Sequence, residues 1–360
     1  MFTPSRLTLA RQRRGFTKQG LAEMIGLTPR SVIAYEAGDQ EPAADTLERL
    51  AKVLDFPVQF FSGDEVDQID PGAASFRALK SMTARQRDAS LAAGCLAVEL
   101  AEWVGGRFQL QAANIPSDCE SMAPEIAAEA VRAHWSLGER PIRNMVHLLE
   151  LHGVRVFSLV EECVEVDAFS LWRDDVPFVF INTMKSPERS RLDAAHELGH
   201  LVLHRGSERG REAEHHANRF ASSFLMPRSA ILASAPRYPS LPNLLQGKRP
   251  WNVSVAAFAH RLHTVGLMTD WQYRMTCVEL STRGFRKNEP SSSGVRETSQ
   301  VWSKVFAALR EDGVTKADVA AEVRVPVREI DALVFGLVKM GSIEGGRGRR
   351  TAPRGHLKVV

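Results

Sequence analysis

A chain of 360 residues with 44% hydrophobic and 25% charged residues is long enough for two or three domains, and its composition excludes wholesale disorder. Its apolar runs fall well short of the roughly 18 residues a membrane span needs, and no signal-peptide core follows the charged start. Four cysteines (Cys95, Cys119, Cys163, Cys277) lack CxxC spacing and fit a reducing cytoplasm, with neither a disulfide framework nor a cysteine zinc site.

The net charge of +3 is less informative than its distribution. Residues 1–30 hold six Lys or Arg against one acid, and the last sixteen residues hold five basic residues and no acid. Basic ends suggest a polyanion partner. From Ser5 to Ser62 the pattern is short helices with tight punctuation. "TKQGLAEMIG" starts on Thr17 as a cap, buries Leu21, Ala22 and Ile25 and stops at Gly26. "LTPRSVIAYEAG" follows with Thr28 as cap and Pro29 at the first helical position. "DQEPAADTLERLAKVLDFPVQFF" supplies a further helix. Two short helices joined through Gly26 have the geometry that sets a second helix into a DNA major groove.

The run "LAEMIGLTPRSVIAYEAGDQEPAADTLERLAKVLDF" resembles the XRE-type, lambda-repressor-like helix-turn-helix family. The resemblance implies double-stranded DNA as partner, with Thr28, Pro29, Arg30, Ser31 and Ala34 at the groove and Lys18 at the start of the preceding helix. Arg30 has the donors to read a guanine edge, whereas Lys18 suits a phosphate. Members of this type usually bind paired half-sites, so a homodimer is expected.

Residues 63–75 are acidic, contain Gly and Pro and read as a linker. Residues 76–140 read as a helical bridge, its first part a long amphipathic helix interrupted at Gly105–Gly106. A catalytic domain is placed at 141–283. In it "IRNMVHLLELHG" forms a helix; its His147 and His152, and His134 on the preceding helix "MAPEIAAEAVRAHWSLG", read as packing or surface histidines. Then "VRVFSLV", "VDAFSLW" and "PFVFIN" read as three short strands.

"RSRLDAAHELGHLVLHRG" reads as a helix from Arg191 to Leu203 that places His196 and His200 four residues apart on one face, with Glu197 beside them. This HExxH pattern pairs two zinc-binding histidines with a glutamate that acts as base toward water. His204 lies about 12 Å along a straight helix from His196, too far to share one ion. A second helix, "REAEHHANRFASSFLMP", with a buried stripe of Ala217, Phe220, Ala221 and Phe224, offers both Glu214 and His216 as a third ligand.

The pair "RSRLDAAHELGHLVLH" and "EHHANRFASSFLMP" resembles the ImmA/IrrE family of zinc metallopeptidases. The resemblance extends through "FRAL", "LLELHGVRVFSL", "INTMKSPERSR" and "WNVSVAAFAHRLHTVGLMTDWQYR", which recur in members that fuse this peptidase to an XRE domain, so it covers most of residues 1–285. It implies Glu214 as third ligand of a Zn²⁺ site with His196 and His200, and Glu197 as the catalytic base. It also implies a protein substrate, a repressor or other transcription factor, cleaved in response to stress or a mobile-element signal. His204 is expected to orient the site from behind, and Asn218 to fix the helix pair by hydrogen bonding. The competing reading is a transcriptional regulator whose zinc domain senses a ligand or partner without proteolysis. His260, His263 and Tyr273 are candidates for stabilising an oxyanion.

Residues 284–298 read as a second linker. Residues 299–342 have helix–turn–helix spacing and are read as a small bundle closing on the catalytic domain or a twin subunit. Residues 343–360 read as a disordered basic tail. The expected fold is mainly α with a small β-sheet (α+β): a lambda-repressor-like domain, a minimal zincin-like domain and a C-terminal helical region. A soluble cytoplasmic protein without membrane contact is expected.

Overall fold

The computed structural model describes residues 1–70, 75–76, 83–159, 167–205, 210–286, 289–290, 295–338 and 357–358. The chain forms two compact units. The first takes in Met1–Gln111, Phe157–Val166 and Ser299–Val360, and the second Ala112–Val156 and Asp167–Thr298. The architecture is α+β, mainly helical, as expected.

The first unit opens with α1 (Pro4–Arg13), α2 (Lys18–Ile25), α3 (Pro29–Ala37) and α4 (Ala44–Leu54), closed by a 3₁₀ turn at Val58–Ser62. The punctuation read from the sequence sets these bounds. Thr17 and Thr28 each accept a hydrogen bond from a first-turn N–H, of Gly20 and Ser31. Gly26 turns the chain at φ 67°, a left-handed conformation that costs glycine nothing. Leu7, Leu21, Ala22, Val32, Leu50, Leu54, Phe60 and Phe61 form the closed core of this module.

The described part of the expected linker, Gly63–Asp70, has neither helix nor strand, yet it lies pinned down. Val66 and Ile69 are buried, the Val66 N–H donates to Ser5, and Arg6 donates to the Asp64 carbonyl. After β1 (Ser75–Phe76) comes α5 (Ala84–Gly105), capped reciprocally by Thr83 and Gln86. Its burial from Ala89 to Ala101 runs nearly all the way round, so it is a core helix of the first unit rather than a one-sided bridge. Small residues, Ala92, Ala93, Gly94 and Ala97, let neighbours approach from several directions. β2 (Phe108–Gln109) follows.

The second unit begins with α6 (Pro124–His134) and α7 (Met145–Leu151). The unit boundary falls within β3 (Arg155–Leu159). β4 (Ala168–Arg173) and β5 (Val176–Asn182) form an antiparallel hairpin whose register pairs Phe169 with Phe180 and Ser170 with Val179. Asp174 and Asp175 both take positive φ, the two-residue turn that suits the strand twist. α8 (Pro187–Leu203) starts four residues before the expected Arg191, because Ser186 caps it and Pro187 occupies its first position. α9 (Arg211–Leu225) packs on it. The predicted stripe of Ala217, Phe220, Ala221 and Phe224 is fully buried. α10 (Arg228–Ser234), α11 (Leu241–Gly247), α12 (Val255–Thr264) and α13 (Asp270–Thr282) complete the unit.

Two buried arginines hold the far end of α9. Arg132 on α6 donates to the Phe224, Gly138 and Arg140 carbonyls, and Arg261 on α12 donates to the Met226 carbonyl. Cations at a helix C-terminus satisfy carbonyls that have no partner within the helix. Glu297, in the segment read as a second linker, accepts from the Met145 and Val146 N–H groups and pairs with Arg191.

The chain then returns to the first unit as α14 (Gln300–Glu311), α15 (Lys316–Val323) and α16 (Val327–Val334). This bundle packs against α5 within the first unit; it was expected on the catalytic domain or a twin subunit. Glu329 of α16, 1% exposed, pairs with both Arg13 at the end of α1 and Arg14 just after it. Of residues 343–360, those described are Leu357–Lys358, which form β6 and run parallel to β2.

Candidate metal centre

The HExxH turn lies in the middle of α8, where His196 and Glu197 are 0% exposed and His200 4%. The four-residue spacing puts both imidazoles on one side of the helix, with Nε2 atoms 3.1 Å apart. Glu214, in the first turn of α9, directs its carboxylate into the same space. One oxygen lies 3.3 Å from His196 Nε2 and the other 3.2 Å from His200 Nε2. Of the two ligands that the spacing allowed, Glu214 reaches the pair. His216 instead stacks on His204 and faces Glu212.

The close approach of α9 to α8 depends on a residue hidden in the motif's variable positions. A Cβ on Gly199 would meet the Ala217 Cα at 3.2 Å and Phe220 at 3.1 Å. Glycine therefore lets the two helices cross near enough for a glutamate side chain to span the gap.

The donor set suits a divalent cation. The three candidate ligand atoms all lie within 4.8 Å of one another. Ligands roughly 2.0–2.2 Å from a tetrahedral zinc are separated by roughly 3.3–3.6 Å, close to the spacing seen here. Burial pushes the Glu214 carboxyl up, but hydrogen bonds and charge from His196 and His200 outweigh it and hold its pKa at about 2. The Glu214 carboxyl is thus held as an anion.

Around these groups the structure adds supports. His204 ends α8 with Nδ1 3.1 Å from His200 Nδ1, the ring nitrogen facing away from the ligand cluster. Burial, with the neighbouring His200 and His216, lowers the His204 pKa to about 4, so it stays neutral. Asn218 donates to the Glu214 carbonyl one turn earlier on its own helix. His263 stacks on Tyr273 and bonds to Asp270, and the His260 ring also lies against Tyr273.

Two contacts from β4 had no signal in the sequence, because "VDAFSLW" reads as an ordinary strand. Ser170 Oγ, 2% exposed, donates to Glu197 Oε2 at 2.6 Å. Trp172 Nε1 donates to the Leu201 carbonyl at 3.2 Å.

In the first unit the groove positions lie on α3 and its cap. Thr28, Pro29 and Arg30 are exposed, while Ser31 and Ala34 are half-buried. The Thr28 hydroxyl is engaged with the Ser31 N–H and hydroxyl. Lys18 lies 3.3 Å from Glu36, which also holds Arg11. Among the described residues Arg30 makes no ion pair.

Comparison with known proteins finds two family models along the chain. Residues 149–263 match the family model of the IrrE N-terminal-like domain, a peptidase family, and residues 7–61 match a helix-turn-helix model. Curated relatives include uncharacterized HTH-type transcriptional regulators from Sinorhizobium medicae and Rhizobium meliloti. Each is 33% identical over 60 residues, 17% of this chain and 43% of the relative. Among the described residues no helix is long and apolar enough to cross a membrane.

Proposed function

We propose that this chain, which fuses an XRE-type helix-turn-helix domain to an IrrE/ImmA-like peptidase domain, is a cytoplasmic DNA-binding zinc metallo-endopeptidase. It would regulate transcription by cutting a repressor or another transcription factor in response to stress or a mobile-element signal. The observation that carries this reading is the convergence of His196, His200 and Glu214 beside a buried Glu197.

His196, His200 and Glu214 would hold Zn²⁺, which when bound supplies Lewis acidity toward a peptide carbonyl and toward water. The remaining chemistry belongs to the chain. Glu197 accepts a proton from the attacking water and returns it to the leaving amine. His204 holds the His200 ring from its outer nitrogen, fixing which nitrogen faces the ligand cluster. The first domain brings this chemistry to double-stranded DNA, with Arg30 reading a base edge, Lys18 on phosphate, and a homodimer spanning paired half-sites.

The names of the curated relatives favour a second reading, a regulator in which the metal domain senses and does not cut. One experiment separates the two. The purified protein and its Glu197→Gln variant are incubated with zinc against candidate repressors and against the protein itself, with and without DNA. A metal-dependent fragment made by the parent and not by the variant supports the peptidase. A DNA footprint from both proteins with no fragment would overturn it in favour of the sensor.

A further inference from the structure

A buried hydroxyl in an apolar strand face needs a reason, because an unsatisfied one costs about 1–3 kcal/mol. Along β4, Ala168, Ser170 and Trp172 share one face by the two-residue alternation of a strand. Phe169 lies on the opposite face, stacked on Phe180 at 4.2 Å. Alanine would fill the Ser170 position almost as well for packing, as Ala168, fully buried on the same face, illustrates. The serine instead spends its hydroxyl on Glu197, donating to Oε2 at 2.6 Å with the Glu197 carbonyl 3.4 Å away.

The strand is held in register with the helix at two points. Ser170 to Trp172 spans about 6.7 Å of strand, and Glu197 to Leu201 spans about 6 Å of helix. The two rises agree, so Trp172 meets the Leu201 carbonyl while Ser170 meets Glu197. Arg205, next to the end of α8, lies over the Trp172 ring at 4.0 Å and braces the second point. A carboxylate on a flexible side chain is thereby given one orientation by an element outside its own helix.

We propose that Ser170 is a positioning residue for Glu197: its hydroxyl holds the carboxylate in the orientation from which it serves the attacking water. This deepens the peptidase reading and rests on it. The group acts through Glu197 and not on substrate, so its loss should lower kcat and leave KM unchanged.

The test uses the full chain loaded with Co²⁺, whose visible bands report ligand binding, titrated with acetohydroxamic acid. That probe chelates the metal and places a donor where a carboxylate at Glu197 can accept it. Glu197→Gln should weaken the probe about tenfold or more, as expected for losing a hydrogen bond to a charged group. Ser170→Ala should weaken it roughly three- to tenfold with cobalt stoichiometry unchanged, and Ser170→Thr, which keeps the hydroxyl, should stay within about twofold of the parent. Parent-like affinity in Ser170→Ala alongside a weakened Glu197→Gln would overturn the role of Ser170 and leave the site reading standing. Equal weakening in Ser170→Ala and Ser170→Thr, or loss of cobalt from Ser170→Ala, would also overturn it, by making the contact one of packing. An unaffected Glu197→Gln would instead sink the reading of Glu197 itself.

Discussion

The exposed helix α3 and the candidate metal centre on α8 are built on opposite principles. On α3, the side chains expected to meet DNA stand mostly in solvent, and what positions them is backbone: a threonine cap, a proline at the first turn and a glycine between helices. On α8, the side chains expected to do chemistry are sealed in, positioned by a glycine-allowed helix crossing, a strand hydroxyl and arginines at the far end of α9. A surface reader can therefore change without disturbing its fold. A buried site cannot, because each of its residues is also part of the packing.

The largest effects should fall on the buried side of that contrast. Glu197→Gln keeps the side chain's shape but loses the charged proton acceptor, so cleavage should drop about 10²- to 10⁴-fold. Zinc content, read by elemental analysis, should remain that of the parent. Glu214→Ala removes a ligand and its charge. Its zinc affinity, measured by chelator competition, should fall more than about 100-fold, beyond what loss of an outer partner costs. Retained affinity in that variant would place the third ligand elsewhere.

How much of this could be read beforehand follows the same divide. The first module was legible nearly residue by residue, since caps, Pro29 and Gly26 act locally and the sequence shows them directly. His196, Glu197 and His200 were legible because helical spacing alone brings them together. Spacing could not choose between Glu214 and His216; the helix crossing brings the Glu214 carboxylate to the two imidazoles and leaves His216 against His204, which no spacing encodes. Ser170 was invisible, because register between a strand and a distant helix is a tertiary fact. The C-terminal bundle was recognised as helices, but its place beside α5 and α1 depends on Glu329 meeting two arginines 315 and 316 residues away, which no local pattern encodes. The expected amphipathic bridge failed for a related reason: alanine-rich α5 is surrounded, and composition does not count neighbours.

Glu329→Ala asks whether the recognition module is as independent of buried packing as the comparison implies. Burial alone would raise the Glu329 carboxyl, but Arg13 and Arg14 overcome that and keep it lowered. Removing it leaves the guanidiniums of Arg13, buried at the end of α1, and of its neighbour Arg14 without their shared anion, so the first unit should lose about 3–5 kcal/mol. Denaturant unfolding followed together with zinc binding tests this, with metal affinity expected to hold. Gly199→Ala is the milder counterpart in the second unit. Its methyl forces apart α8 and α9, costing about 1–3 kcal/mol. Zinc affinity should fall with it; stability lost at unchanged affinity would show that the crossing distance does not set the site.

The smallest effects should come from the exposed face, and they divide by what each cation already holds. Arg30 makes no ion pair among the described residues, so its donors are available to a base at no internal expense. Arg30→Ala should cost about 1–3 kcal/mol on a duplex selected from a random library and much less on random DNA. Lys18 begins paired with Glu36 and must share or leave that partner to meet a phosphate. Lys18→Ala should therefore weaken selected and random duplexes alike, by less than about 1 kcal/mol, and reduce the slope of affinity against salt by about one. Fluorescence anisotropy across a salt series measures both. Neither variant should shift the unfolding midpoint of the first unit appreciably. A Lys18→Ala loss that exceeds that of Arg30→Ala and depends on sequence would exchange their roles, and would make the ion pair with Glu36 part of how the module reads DNA.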